Sequence, residues 1–181
     1  VEKDLDPVQI EALRDLIRSG RTDQRRLHNA PLKKLLSEVG VVNHEGLVTL
    51  AGLLLVGRQE SIKANVPMHL VTFVEYKDQT QVGKRRDLPG CILRVLSDLE
   101  RLVLSKQELY TLREKGFRHV QVPSVSWEVA REGILNGIAH RDYFRRQGTV
   151  VGFYDEYLEI RSPGGFVGGI SPENILRKGH A

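Results

Sequence analysis

The sequence predicts an α+β fold: a helical N-terminal segment followed by a two-layer domain of helices on a mixed sheet. Three observations carry this. Apolar residues recur at helical spacing through the first part of the chain, between capping residues and glycines. The character changes at Met68, after which HLVTFVEY is β-branched and aromatic. Beyond that strand, helical and strand-like runs alternate, closing with TVVGFY and YLEIRS around Asp155-Glu156. The expected division is 1–63, helical and helix-turn-helix-like, and 64–181, an α/β sandwich that stops in mid-element at its C-terminus.

In order, Asp6-Pro7 reads as an N-cap and first-turn proline. Ile10, Leu13, Leu16 and Ile17 form one apolar face, and Gly20 closes the helix. The polar RTDQRRLHN follows. Pro31 opens a second helix with Leu32, Leu35, Leu36 and Val39 inward and Gly40 as its stop. NHEG is a turn. Thr49 caps LAGLLLVG, whose lack of a polar face predicts burial all round. HLVTFVEY is a strand and QVGKRRD a basic loop. Asp87-Leu88-Pro89 starts a helix with Ile92, Val95, Leu96, Leu99, Leu102 and Val103 at helical spacing. ELYTL and FRHVQV are two short strands. Pro123 and Ser124 begin the helix that carries EGILNGIAHRDY. TVVGFY and YLEIRS form a hairpin, SPGGFVGGI is a glycine-rich loop, and Pro172 begins a last turn of helix.

Apolar content of 40% and charged content of 28% are globular values and exclude a disordered chain. No run approaches the ~18 apolar residues of a membrane-spanning helix, and no signal-peptide pattern opens the chain. Cys91 is the only cysteine, so an internal disulfide is excluded and a zinc site disfavoured; a reducing cytoplasm is the expected location. The chain begins at Val1 and holds one methionine, so it is expected to be a piece of a longer protein. The net charge of +4 permits nucleic-acid contact without demanding it.

The helix EGILNGIAHRDY poses a question. It places Glu132, Asn136 and His140 four apart, on one face. It also holds Gly133 and Gly137, each costing ~1 kcal/mol relative to Ala inside a helix. A close approach by a backbone or a ligand would explain the glycines. An Asn amide oxygen suits Mg²⁺, which prefers oxygen and shares its shell with phosphates and water. A neighbouring carboxylate can activate a water. The competing reading is a solvated polar face with glycines set by packing. The glycine-rich loop is not a Walker A loop, because no Gly-Lys-Ser/Thr follows. HRDY is not the kinase catalytic loop, since Gln147 stands where its Asn is required. It is expected to be a structural corner, with His140 at the negative end of the helix and Asp142 accepting a backbone N–H or pairing with an arginine.

Taken together, REGILNGIAHRDY, the hairpin and LEIRSPGGFVGGISPENI, with TLAGLLLVG and HLVTFVEY upstream, resemble the C-terminal part of the RecG-related ATP-dependent DNA helicase or transcriptional regulator family. Its members usually carry an N-terminal Schlafen AlbA-type (divergent AAA) domain, which is absent here. The resemblance implies a GHKL-like ATP-binding module, the fold class of histidine kinases, gyrase and MutL. It implies that Glu132 activates water and that Asn136 binds Mg²⁺. The implied nucleotide contacts are Asn136, His140, Ser162, Gly164 and Gly165. The sequence departs from that pattern in two ways: Ser162 replaces the Asp that would read adenine, and no glycine-rich lid is recognisable before the chain ends.

Lys84, Arg85 and Arg86 form one basic cluster and the candidate DNA contact; Arg25 with Arg26, and Arg141 with Arg145 and Arg146, form others. A charged surface balanced by 23 acidic residues is the plain alternative. Two functions are therefore expected to compete. One is a DNA-associated transcriptional regulator whose ATP module is degenerate, serving DNA binding or self-association. The other is a working Mg²⁺-dependent ATPase.

Overall fold

The computed structural model of the protein describes residues 3–20, 25–77, 81–113, 119–155, 157–165 and 174. The expected α+β class is what the chain adopts: a helical first segment, then helices laid on a mixed sheet.

In helix α1 (Pro7–Ser19) the Asp6 carboxylate accepts the Val8 N–H at 2.9 Å, which satisfies one of the helix's orphan donors. Ile10, Leu13 and Ile17 are buried. Leu16, expected to face inward, is exposed, because it lies about a quarter turn from the centre of that stripe. A short 3₁₀ turn (Arg25–Leu27) returns the chain, and Arg14 holds it by donating to the carbonyls of His28 and Ala30 at 2.7 and 3.0 Å.

Helix α2 (Leu32–Glu38) buries Leu35 and Leu36, whereas Leu32, also expected inward, sits exposed at its first position. Gly40, at φ +72, stops the helix. The Asn43 turn is closed by bonds from the Glu45 and Leu47 N–H groups to the Asn43 side chain. Helix α3 (Leu50–Val56) is capped as expected, the Thr49 hydroxyl accepting from the Gly52 N–H at 2.9 Å. It is not buried all round: Leu50 is exposed at the start, while Leu53, Leu54 and Val56 are inside. Helix α4 (Gln59–Asn65) went unread in the sequence, because its only buried side chain is Ile62.

Strand β1 (Val71–Tyr76) lies where expected. Residues 81–87, expected to be a loop, instead form an edge strand, β2 (Val82–Leu88), antiparallel to β1. Its Lys84-Arg85-Arg86 run hides the strand signal, yet charges are how sheet edges are protected from further pairing. Helix α5 (Ile92–Lys106) therefore starts later than expected, after Asp87 and Leu88 have ended β2 and Gly90 has turned the chain at φ +117. Strands β3 (Leu109–Arg113) and β4 (His119–Pro123) pair only with each other. Pro123 ends β4, so helix α6 (Trp127–Ala139) begins beyond the expected Pro123-Ser124. Strands β5 (Thr149–Phe153) and β6 (Leu158–Arg161) form the expected hairpin; Glu156 lies outside the described residues.

The sheet order is β2-β1-β5-β6, with β1 and β5 parallel and both outer pairs antiparallel. Alternation along the strands sends Val71, Phe73, Val151 and Phe153 to one face, against Val95, Leu99 and Val103 of α5 and Ile134 and Ile138 of α6. A second core lies inside the helical segment, around Leu35, Val41 and Val56. A third cluster, Leu53, Leu54, Ile62, Val66 and Cys91, joins the two. No helix among the described residues is long and apolar enough to cross a membrane.

Candidate functional site

Helix α6 presents Glu132, Asn136 and His140 on one exposed face, as their spacing dictates. The Asn136 amide donates to Glu132 Oε1 at 3.4 Å. That leaves the Asn136 amide oxygen and the second Glu132 oxygen free, a pair of hard oxygen donors suited to Mg²⁺. Among the described residues no group of three His, Cys, Asp or Glu could hold a metal. An ion here would take most of its shell from phosphates and water.

The glycines of α6 have a packing cause. A Cβ on Gly133 would stand 2.8 Å from Ile160 Cδ1, and one on Gly137 2.9 Å from Ile160 Cγ2. Strand β6 thus presses its side chain against the helix, and a β-carbon there would collide. The close neighbour is a side chain of β6.

The two motifs meet at the end of α6. Ser162 Oγ donates to the Gly137 carbonyl at 2.5 Å, and the Asp142 N–H donates to the Pro163 carbonyl at 2.8 Å. Gly164 holds φ +128, and a β-carbon on it would lie 3.2 Å from the Asp142 nitrogen. Gly165 faces open space. The rest of the glycine-rich loop, 166–170, and the expected helix start at Pro172 lie outside the described residues. Ser162, Gly164 and Gly165 are thereby brought to the C-terminal end of the helix that carries Glu132 and Asn136.

HRDY forms a corner. His140 is the C-cap of α6 and is exposed. Asp142 accepts the Phe144 N–H at 3.0 Å and pairs with Arg145 at 3.3 Å. Tyr143 donates from its hydroxyl to the Ile138 carbonyl at 3.1 Å. Arg141, grouped in the sequence with surface cations, is instead only 5% exposed. Its Nη2 donates to the carbonyls of Met68 and Gln147, and its guanidinium lies 4.9 Å from the Tyr143 ring centroid. Among the described residues no carboxylate pairs with it. This arginine is a tie between the corner and the entry to β1, so it cannot contact DNA phosphates.

His69 stacks on Tyr143 at 6.1 Å and, like Arg141, is buried. Burial first, and the charge of Arg141 second, lower its pKa to about 4 against the opposing effect of the Gly90 backbone. Neither ring nitrogen makes a sound hydrogen bond, so the ring stays neutral at physiological pH.

Lys84, Arg85 and Arg86 line an exposed edge strand rather than a loop. Strand alternation sends Arg85 to the sheet face opposite the helices, with Asp87 beside it at 3.4 Å. That face holds a group the sequence reading missed. Tyr76 and Tyr154 stack at 4.5 Å and 3°, Tyr154 and Tyr157 at 4.3 Å and 14°, and Arg161 donates to the Tyr76 hydroxyl at 2.7 Å. The available signal was a tyrosine at the end of each of two strands, in FVEY and GFY.

These features define an α+β chain with a helix-on-mixed-sheet domain and a motif corner at α6 and β6. A family described as a domain of unknown function (DUF8451) matches residues 2–72, the helical segment and the start of β1. The solved DIP2311 protein from Corynebacterium diphtheriae is similar in structure, with a TM-score of 0.75 and 26% identity over 96% of this chain. This chain spans 33% of that one. No curated protein matches the chain.

Proposed function

We propose that the chain is part of a DNA-associated transcriptional regulator, in which the α6–β6 corner is a GHKL-like nucleotide module that has lost most of its ATP recognition. One observation carries the reading: Glu132 and Asn136 share an exposed helix face, and Ser162 is bonded to that same helix at Gly137, next to Asn136. In this arrangement Asn136 supplies an oxygen to Mg²⁺, Glu132 orients water, and the Gly164-Gly165 backbone lies against the nucleotide. His140 stands at the same helix end. When bound, Mg²⁺ would neutralise phosphate charge.

The weakness of the site follows from Ser162. Its hydroxyl proton is committed to the Gly137 carbonyl, and it carries no charge with which to accept from an adenine amino group. A hydrogen bond to a charged group contributes ~1.5–3 kcal/mol, so its absence lowers affinity by tenfold or more. We expect ATP–Mg²⁺ to bind at about millimolar strength or weaker, near −4 kcal/mol, without measurable hydrolysis. Calorimetry with ATP–Mg²⁺ tests this, with Asn136→Ala removing whatever heat remains. Low-micromolar binding that Asn136→Ala abolishes would overturn the degenerate reading in favour of a working ATPase.

A further inference from the structure

The sheet face turned away from α5 and α6 is built around its aromatic ladder. Gly152 shows the construction: a Cβ there would lie 3.0 Å from Tyr76 Cε2 and 3.4 Å from Tyr154 Cε2. Glycine weakens a strand interior, and here it is what seats the two rings face to face. The ladder runs from Arg161 through Tyr76 and Tyr154 to Tyr157, whose ring ends the stack and is 46% exposed.

Two arginines flank the ladder on this face. One cavity of about 440 Å³ is lined by Tyr76, Arg85 and Arg161, over a floor of Thr72, Val74 and Val150. A second, of about 620 Å³, touches Tyr76 at the end of the sheet but opens on the helix side, where Glu75, Lys84, Phe153 and Lys106 of α5 line it. The carboxylates on these walls are Glu75, already paired with Lys106 at 3.1 Å, and Asp155. Arg85 and Arg161 rest on Asp87 and Glu159 at 3.4 and 3.3 Å, but exposed pairs of this kind contribute little and exchange readily for phosphate.

We propose that this face is a platform for single-stranded DNA. On this face Arg85 and Arg161 offer phosphate contacts beside Tyr76, and the exposed ring of Tyr157 offers a stacking surface for a base. A duplex keeps its base faces inside, whereas a single strand presents them to aromatic side chains. The proposal rests on the DNA-associated part of the reading above and not on its nucleotide part.

The test is fluorescence anisotropy with a labelled oligo-dT, a duplex of equal length and heparin as a base-free polyanion. The protein is compared with Tyr157→Ala and with Arg85→Glu, both surface changes whose folding is checked by circular dichroism. We expect oligo-dT to bind at about 50 mM salt and to weaken by roughly tenfold or more at about 200 mM, as counterion release requires. The charge reversal should weaken oligo-dT and heparin alike, by roughly three- to tenfold. Tyr157→Ala should weaken oligo-dT by roughly tenfold and leave heparin unchanged, the signature of lost base stacking. No oligo-dT binding at low salt, or Tyr157→Ala without effect on it, overturns the proposal. Duplex binding that neither variant disturbs would also overturn it, while leaving DNA association intact elsewhere on the molecule.

Discussion

Ser162 donates its hydroxyl proton to the carbonyl of Gly137, and this bond fastens the end of β6 to the last turn of α6. The last four carbonyls of a helix lack partners within the helix, and Ser162 satisfies one of them. Ser162→Ala should therefore destabilise the fold by ~1 kcal/mol, read as a lower urea midpoint at unchanged m-value. It should not improve nucleotide binding, because the lost hydroxyl leaves nothing to read adenine. An unchanged midpoint would show that the bond contributes nothing.

The two glycines of α6 should respond differently to alanine. At Gly133 the obstructing atom is Ile160 Cδ1, the far end of a side chain that can turn aside. At Gly137 it is Ile160 Cγ2, fixed at the branch. Gly133→Ala should fall within ~1 kcal/mol of neutral, helix propensity offsetting the rearrangement. Gly137→Ala should destabilise by ~1–3 kcal/mol. Ile160→Val removes Cδ1 and keeps Cγ2, so in a double-mutant cycle it should relieve the first substitution and not the second. Equal coupling in both cycles would contradict the packing described.

Acid should weaken the fold through His69. Its folded-state pKa is about 4, below the ordinary 6.5. Between these values the unfolded chain takes up a proton that the folded chain refuses. Stability is therefore full above about pH 6.5 and declines as pH falls towards 4. The total loss from this group is on the order of 3 kcal/mol. Denaturation at a series of pH values should show this slope, and His69→Phe, which keeps an aromatic ring against Tyr143, should flatten it.

Removing the charge of Arg141 should reduce the same slope, because that charge is the second cause of the His69 shift. Arg141→Met keeps an apolar stem of similar reach but leaves the Met68 and Gln147 carbonyls without their donor. We expect a net loss of ~1–3 kcal/mol at neutral pH together with a His69 pKa nearer its ordinary value, followed by NMR titration of the ring. A His69 pKa unmoved by the substitution would separate the two residues electrostatically.

Much of the fold was legible because period and punctuation agree. Asp6-Pro7, Thr49 and Gly40 mark helix ends that the structure keeps, and the stripe Val95, Leu99, Val103 gives α5 its inner face. The errors share a cause. β2 carries its strand character in backbone pairing with β1, while its side chains are those of an exposed edge. Leu16, Leu32 and Leu50 are apolar yet exposed, since composition alone cannot fix the rotation of a short helix. At the site, helical spacing placed Glu132, Asn136 and His140 correctly on one face. It could not show that Ile160 is the reason for the glycines, that Arg141 is buried, or that Tyr76 and Tyr154 meet across β1 and β5. Those are contacts between distant parts of the chain, and no local pattern records them.

The centre of the sheet is the parallel pair β1 and β5, in which Val71 lies beside Thr149. Its two flanking pairs, β1 with β2 and β5 with β6, are hairpins that close over short stretches of chain. Each half can zip quickly by itself, but joining them closes a loop containing α5, the β3–β4 hairpin and α6. Chain entropy makes such a closure late, and non-local pairings of this kind slow folding. The rate-limiting step should thus be the docking of two preformed hairpins. Substitutions that loosen only the contacts between the two halves should act mainly on the unfolding rate, whereas those that weaken the pairing within either hairpin should act on the folding rate.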